Sequence, residues 1–261
     1  MLGAIIGDIV GSPYEFGSDK RTDFALFQPA CRATDDSMMT IAVGLGLLDA
    51  DLSQEYSVKR SLTYWMRRIG REYPDAGYGR MFYAWLMDDR AVPYGGYTNG
   101  SAMRVSSVAY AAEDLSHCLT LARWSAELTH SHPDGIAGAQ AVASALFLAR
   151  MGESKQQIEA YIEENFYPLD FTLRDIRPHY CHDMTCRGSV PQAIRCFLES
   201  TDFESALRLA VSLGGDCDTQ AAMAGAIAQA YYGIPEHIVD AALSYLDDTQ
   251  REYLSLLTEN L

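Results

Sequence analysis

The sequence predicts an all-α fold, organised as one domain over residues 1–261. Three observations carry this. Apolar residues recur at helical spacing along nearly the whole chain. Period-2 alternation, the mark of a half-buried strand, is nearly absent. Helix start and stop signals fall where the periodic stretches begin and end.

The elements follow in order. Glycines 3, 7 and 11 recur every four residues in Gly3 to Phe16, which leaves one helix face bare for another helix to approach. Thr34 is placed to cap a helix whose apolar run extends from Met38 to Leu48, with Asp35 and Asp36 in the first turn. Val105 to Tyr110 looks strand-like, but it continues into Ala-Ala-Glu-Asp-Leu and reads as helix. Ala139 to Met151 is Ala- and Leu-rich with helical periodicity, and Ser154 to Phe166 has one wet face. Thr201-Asp202-Phe203-Glu204 fits a capping box for a helix reaching about Leu213. Gln220 to Tyr231 is small and apolar, which suits a buried central helix, and Pro235 opens a helix from Glu236 to about Leu246. Loops are expected at Gly17 to Arg32, Tyr73 to Gly79, Asp88 to Ser101 and Pro168 to Val190.

Composition narrows the function classes. The chain is 48% hydrophobic over 261 residues, enough for a sizeable core. Its net charge is −15 and no basic stripe is visible, so nucleic-acid binding is not expected. The acidity reads first as a solubility device. Cysteines at 31, 118, 181, 186, 196 and 217 show no disulfide-like spacing. The first apolar run is short, lacks a basic lead and meets Asp8 early, so it does not read as a secretory signal. No stretch nears the roughly 18 apolar residues of a membrane span. A cytoplasmic, monomeric protein is the expectation.

Two acidic clusters stand out. Asp35-Asp36 follows Thr34, and about 180 residues later comes Gly214-Gly215-Asp216-Cys217-Asp218-Thr219. Carboxylates and hydroxyls are the oxygen ligands preferred by hard cations such as Mg²⁺, Mn²⁺ and Ca²⁺. Four ionised carboxylates brought together need a cation among them. The plainer reading is that acids in a first helical turn complement the helix dipole. Tyr94 to Arg104 is a glycine-rich loop entering a helix, which suits either phosphate oxygens or a plain turn. His130 and His132 lie between helices, where a turn role or a ligand contact fits equally. Around His179 to Cys186, potential ligands are packed within eight residues with no second pair, which argues against structural zinc.

Taken together, these segments resemble the ADP-ribosylglycohydrolase family, which includes the dinitrogenase reductase-activating glycohydrolase. The matching stretches are Gly3 to Glu15, Thr34 to Ser37, Asn99 to Arg104, Thr129 to Ala139 and Ser212 to Ala222, in the family's order. The resemblance implies a compact helical fold with a cleft holding two Mg²⁺ or Mn²⁺ ions. It implies metal ligands at Thr34, Asp35, Asp36, Asp216, Asp218 and Thr219, and a gating, ligating or proton-handling role for Glu15. It also implies substrate contacts from Gly96, Tyr97, Asn99, Gly100, Ser101 and His130. The chain departs from the family at Cys217 and at Thr98, where glycine is frequent.

The expected reaction is hydrolysis of a glycosidic bond between ADP-ribose and an acceptor, with Glu15, Asp36 and Asp216 as candidate catalytic carboxylates. The substrate would be an ADP-ribosylated protein or a small ADP-ribose conjugate. Two alternatives stand beside it: a non-catalytic ADP-ribose-binding protein on the same scaffold, and a metal-dependent hydrolase of another phosphorylated nucleotide.

Overall fold

Helix α13, Cys217–Tyr232, is the centre of the molecule; every residue from Cys217 to Ala228 in it is buried. The computed structural model describes residues 1–17 and 20–261. Helix α1 (Leu2–Gly11) lies directly on α13. The Gly3, Gly7 and Gly11 stripe makes this possible. A Cβ on Gly7 would stand 2.1 Å from the Ala221 carbonyl oxygen, and one on Gly11 would stand 2.4 Å from Asp218 Cα. Side chains at these positions would force the two backbones apart.

Around this pair the chain adds α2 (Asp35–Leu48), α3 (Glu55–Glu72), α4 (Arg80–Met87), α5 (Gly100–Met103), α6 (Val108–Ala111) and α7 (Leu115–Glu127). Then follow α8 (Pro133–Arg150), α9 (Lys155–Asn165), α10 (Leu173–Ile176), α11 (Cys186–Glu199) and α12 (Phe203–Val211). After α13 come α14 (Glu236–Leu243) and α15 (Asp248–Asn260). Helices α8, α11 and α12 pack on α13, and one continuous apolar core runs from Met1 to Leu257. Among the described residues the only extended pairing is a single bridge between Thr98 and Thr185. The all-α fold is as expected.

Several boundaries differ from the sequence reading, each for a local reason. Helix α8 begins at Pro133 rather than Ala139, because the His132 ring accepts the Asp134 N–H and Pro133 fits the first helical position. The cap of α12 is Asp202 with Ser205, not Thr201 with Glu204; Glu204 instead pairs with Arg208 at 2.7 Å. That helix stops at Val211, and α14 stops at Leu243. The loop expected over 168–190 contains the short α10 and ends at Thr185, whose hydroxyl accepts the Gly188 N–H and starts α11. Val105–Ser107 is a 3-10 turn leading into α6. In the loop expected at Gly17 to Arg32, Ser18 and Asp19 lie outside the described residues. All six cysteines are free thiols. Among the described residues no helix is long and apolar enough to cross a membrane.

Candidate active site

The site starts from Asp8, a lone acid in the apolar run of α1. Its carboxylate is fully buried and faces the first turn of α2. It accepts the Thr34 N–H at 2.8 Å, the Thr34 hydroxyl at 2.6 Å, the Ser37 N–H at 3.0 Å and the Ser37 hydroxyl. Thr34 occupies the N-cap position, yet its hydroxyl is turned to Asp8 rather than to its own helix. Asp8 thus satisfies orphan amides of α2 from a neighbouring helix. The Asp35 and Asp36 side chains are left free of capping duty.

The second cluster arrives on a turn that needs glycine. Gly214 and Gly215 have φ of 70° and 79°, a region that side chains disfavour. The turn delivers Asp216 to the N-cap position of α13, where its side chain makes no capping bond. The close seat of α1 on α13 then brings the clusters together. Carboxylate oxygens of Asp8, Asp36 and Asp218 lie within 4.8 Å of one another, as do those of Glu15, Asp216 and Asp218. Asp218 belongs to both sets.

This crowding is visible in the protonation preferences. Burial, then Asp218, Asp8 and other carboxylates, push Asp36 well above the usual carboxylate range. Burial and Asp216 do the same to Asp218. Asp35 is pushed up to about 8, by burial first and then by Asp8 and Asp216. Glu15 is raised by burial and Asp216, with His182 and Arg32 opposing. Asp36 Oδ1 is buried with no hydrogen-bond partner, while Oδ2 accepts the Thr219 hydroxyl at 3.2 Å. An unpartnered buried carboxylate oxygen among other carboxylates, with only oxygen donors around it, fits a hard divalent cation.

The carboxylates form one end of a cleft of about 640 Å³. The glycine-rich segment Tyr94 to Gly100 lines the same cleft. Main-chain bonds hold it to the start of α11: Asn99 N–H to Met184 O at 2.8 Å and Cys186 N–H to Tyr97 O at 3.1 Å. Asn99 joins it to the carboxylates, donating from Nδ2 to Asp216 Oδ2 at 2.7 Å. The His130 ring lies against Gly96 and Gly100; a Cβ on Gly96 would meet it at 2.7 Å. At the rim, Phe16 is 74% exposed and its ring lies 5.1 Å from that of His182. Phe16 is the one non-glycine described residue with positive φ, at 63°. Such strain clusters at functional sites.

The ADP-ribosylglycohydrolase family profile matches residues 1–261, the entire chain. The chain belongs to this family. Mouse ADP-ribosylhydrolase ARH3 is 28% identical over 315 aligned positions, covering 90% of this chain and 83% of that protein. The human ADP-ribosylhydrolase ARH3 is 29% identical over 315 positions, covering 90% and 85%. A solved structure titled "ADP-ribosylglycohydrolase-related protein complex" superposes with a TM-score of 0.70 at 26% identity, covering 98% of this chain and 94% of that one. An aligned span of 315 exceeds the 261 residues here, so the ARH3 proteins carry insertions relative to this chain.

Within this family member, the residues picked out in the sequence do not all stand alike. Glu15, Asp35, Asp36, Asp216, Asp218, Thr219, Gly96, Tyr97, Asn99, Gly100 and His130 line the one cleft. Thr34 lies behind it, on Asp8. Ser101 is fully buried and donates to Gly135 O at 2.7 Å. Both His130 nitrogens are taken by threonine hydroxyls, Thr98 at 3.0 Å and Thr129 at 2.8 Å. Asp8, Phe16, Arg104 and His182 escaped the sequence reading. Asp8 had a signal, a single acid inside an otherwise apolar helix. Phe16 and His182 had none, since their meeting depends on tertiary contact.

Proposed function

We propose that this protein is a metal-dependent hydrolase of the glycosidic bond between ADP-ribose and an acceptor. The observation that carries this is the pair of carboxylate triples sharing Asp218, lining one cleft with a glycine-rich loop in a member of the ADP-ribosylglycohydrolase family. Glu15, Asp36, Asp216 and Asp218 would hold two ions, Mg²⁺ or Mn²⁺, with Asp35 and Thr219 completing the set, while Thr34, whose hydroxyl is given to Asp8, stands behind it. Bound ions would offset the crowded negative charge and supply Lewis acidity at the ribose end.

The chain's own groups do the rest. Glu15 is half-buried, and burial and Asp216 raise its proton affinity, which makes it a candidate for proton transfer. Asp36 and Asp216 are further candidates for proton transfer. Their carboxylates also favour the positive charge of an oxocarbenium-like state at the anomeric carbon. Gly96 and Gly100 permit close approach of the loop backbone to the diphosphate, and Asn99 keeps that loop in register with Asp216. Tyr97, 53% exposed, offers a ring face to the adenosine end. The substrate is then an ADP-ribosylated protein or a small ADP-ribose conjugate, met in the cytoplasm by a single-domain monomer.

The test is product analysis. Purified protein with Mn²⁺ or Mg²⁺ is incubated with ADP-ribose linked to arginine, serine, an acetyl ester and a nucleobase. Free ADP-ribose from at least one conjugate, abolished by excess EDTA, is the expected result. Release of AMP or inorganic phosphate instead overturns the reading, as does turnover undiminished by EDTA.

A further inference from the structure

The lining of the cleft hides a cation. Arg104 is 1% exposed, and no carboxylate among the described residues pairs with it within ion-pair distance. A buried guanidinium without a counter-ion is costly and needs a reason. Its Nη2 donates to Ser125 O at 3.0 Å and to Thr129 Oγ1 at 2.9 Å, while Nε has no partner. It lies over the Phe82 ring at 5.5 Å and lines the cleft beside Tyr94 and His130. The lining of the cleft therefore holds one buried cation beside its carboxylates.

A directed chain of hydrogen bonds begins at this cation. Arg104 can only donate, so Thr129 Oγ1 accepts from it. A hydroxyl that accepts from a cation is a stronger donor through its own proton. That proton has two acceptors in reach, His130 Nδ1 at 2.8 Å and the Tyr94 hydroxyl; given to His130, it fixes the tautomer of the ring. His130 is buried, and burial together with Arg104 lowers its pKa to about 3, so its ring is neutral. A neutral ring that accepts at Nδ1 carries its proton on Nε2. In that tautomer Nε2–H donates to Thr98 Oγ1, 3.0 Å away. Thr98 lines the cleft and is half-buried, and among the described residues His130 is the one partner of its hydroxyl. Its proton is left to face the cleft.

We propose that Thr98 is a specificity residue whose hydroxyl donates to an anionic oxygen of the ligand, with Arg104, Thr129 and His130 as positioning residues that fix the direction of that bond. The identity of the oxygen as one of the ADP-ribose diphosphate rests on the function proposed above. With the opposite His130 tautomer, Thr98 would donate to Nε2 and offer the ligand only lone pairs. An anion would then be repelled at this spot. A glycine at position 98 would offer nothing.

Two measurements test this. The first is ¹⁵N NMR of the wild-type protein, which distinguishes the two histidine tautomers. The expected signature is His130 protonated on Nε2 and bare at Nδ1 from pH 6 to 8. In Thr129→Val the expected result is loss of that fixed tautomer. A wild-type His130 protonated on Nδ1, with Thr129 donating elsewhere, for instance to Tyr94, overturns the proposal even if Thr129→Val does not fold. The second is calorimetry with ADP-ribose, inorganic pyrophosphate and adenosine, with Mg²⁺ present. Thr98→Val should weaken ADP-ribose and pyrophosphate about tenfold and leave adenosine unchanged. Thr98→Ser should restore the lost affinity. Equal affinity of wild type and Thr98→Val for both anions overturns the proposal. A wild type that binds pyrophosphate but not ADP-ribose, with the Thr98→Val loss intact, sinks only the function on which the ligand's identity rests.

Discussion

Gly7 touches the backbone of Ala221: a Cβ built on the glycine would stand 2.1 Å from the Ala221 carbonyl oxygen and 2.6 Å from the Ala222 nitrogen. Neither obstacle is a side chain that can rotate away. This contact sets the depth at which α1 sits on α13, and with it the distance from Glu15 and Asp8 to Asp218.

Gly7→Ala should therefore damage fold and site together. Overpacking at a backbone contact costs about 3 kcal/mol. Thermal unfolding of the metal-free variant should show the loss, and any folded fraction should bind Mn²⁺ more weakly. A variant with wild-type melting temperature and wild-type Mn²⁺ affinity would show that the glycine stripe does not set this spacing.

The Asp8 carbonyl accepts the Ser12 N–H at the end of its own helix, while its carboxylate accepts four bonds from the first turn of α2. Asp8→Ala leaves buried donors of Thr34 and Ser37 without acceptors, at about 1–3 kcal/mol each before relaxation. The variant should be destabilised by about 3 kcal/mol or more in urea unfolding. Asp8→Asn, which keeps one acceptor oxygen, should fall between it and wild type. The same ordering is expected for activity, because Asp35 and Asp36 are positioned by that turn. Activity unchanged in Asp8→Ala would mean that α2 is held elsewhere.

How much of this was legible follows from where the information resides. The central helix and the bare face of α1 could be read because they depend on local pattern and residue size. The two acidic clusters were visible as motifs, but each alone fitted ordinary first-turn chemistry. What separates the readings is that neither Thr34 nor Asp216 uses its side chain to cap its own helix. That is a tertiary fact, fixed by Asp8 and by the Gly214-Gly215 turn. His130 was visible as a histidine between helices, but its engagement at both nitrogens depends on Thr98, 32 residues away. Phe16 meeting His182 across 166 positions left no trace in local sequence.

Metal-free stability should fall as pH rises through neutrality. Asp35, Asp36, Asp218 and Glu15 all have folded-state proton affinities raised above the ordinary carboxylate value. A raised acid contributes stability that is fully present below its unfolded pKa of about 4 and is lost as pH climbs through its folded value. For Asp35 that value is about 8. His130 has the opposite sign, since its pKa is lowered to about 3 and its contribution is lost as pH falls below its ordinary 6.5. Between pH 6.5 and 8 the buried Met1 amine, lowered from 8.0 to about 5, opposes them, since its contribution grows as pH rises toward 8; one amine stands against several raised carboxylates, so the net slope stays downward. In EDTA the melting temperature should drop across that window. Mn²⁺ or Mg²⁺ should raise it most at the upper end, where the carboxylates are ionised and free to bind. A metal-free melting temperature that is flat or rising from pH 6.5 to 8 would contradict the crowding.

Asp218 stands in both carboxylate triples, so its loss should differ in kind from that of any neighbour. Asp218→Asn keeps the side-chain volume and removes the charge. It should lower turnover by at least about 100-fold and weaken divalent-cation binding at both sites together. Asp36→Asn, which touches one triple only, should leave the other site measurable by Mn²⁺ titration. In the metal-free state Asp218→Asn should melt no lower than wild type, because it relieves repulsion among Asp36, Asp216, Asp8 and Glu15. Lost activity with retained or raised metal-free stability separates a site residue from a structural one. Two Mn²⁺ ions bound with wild-type affinity to Asp218→Asn would show that the shared carboxylate does not bridge the pair.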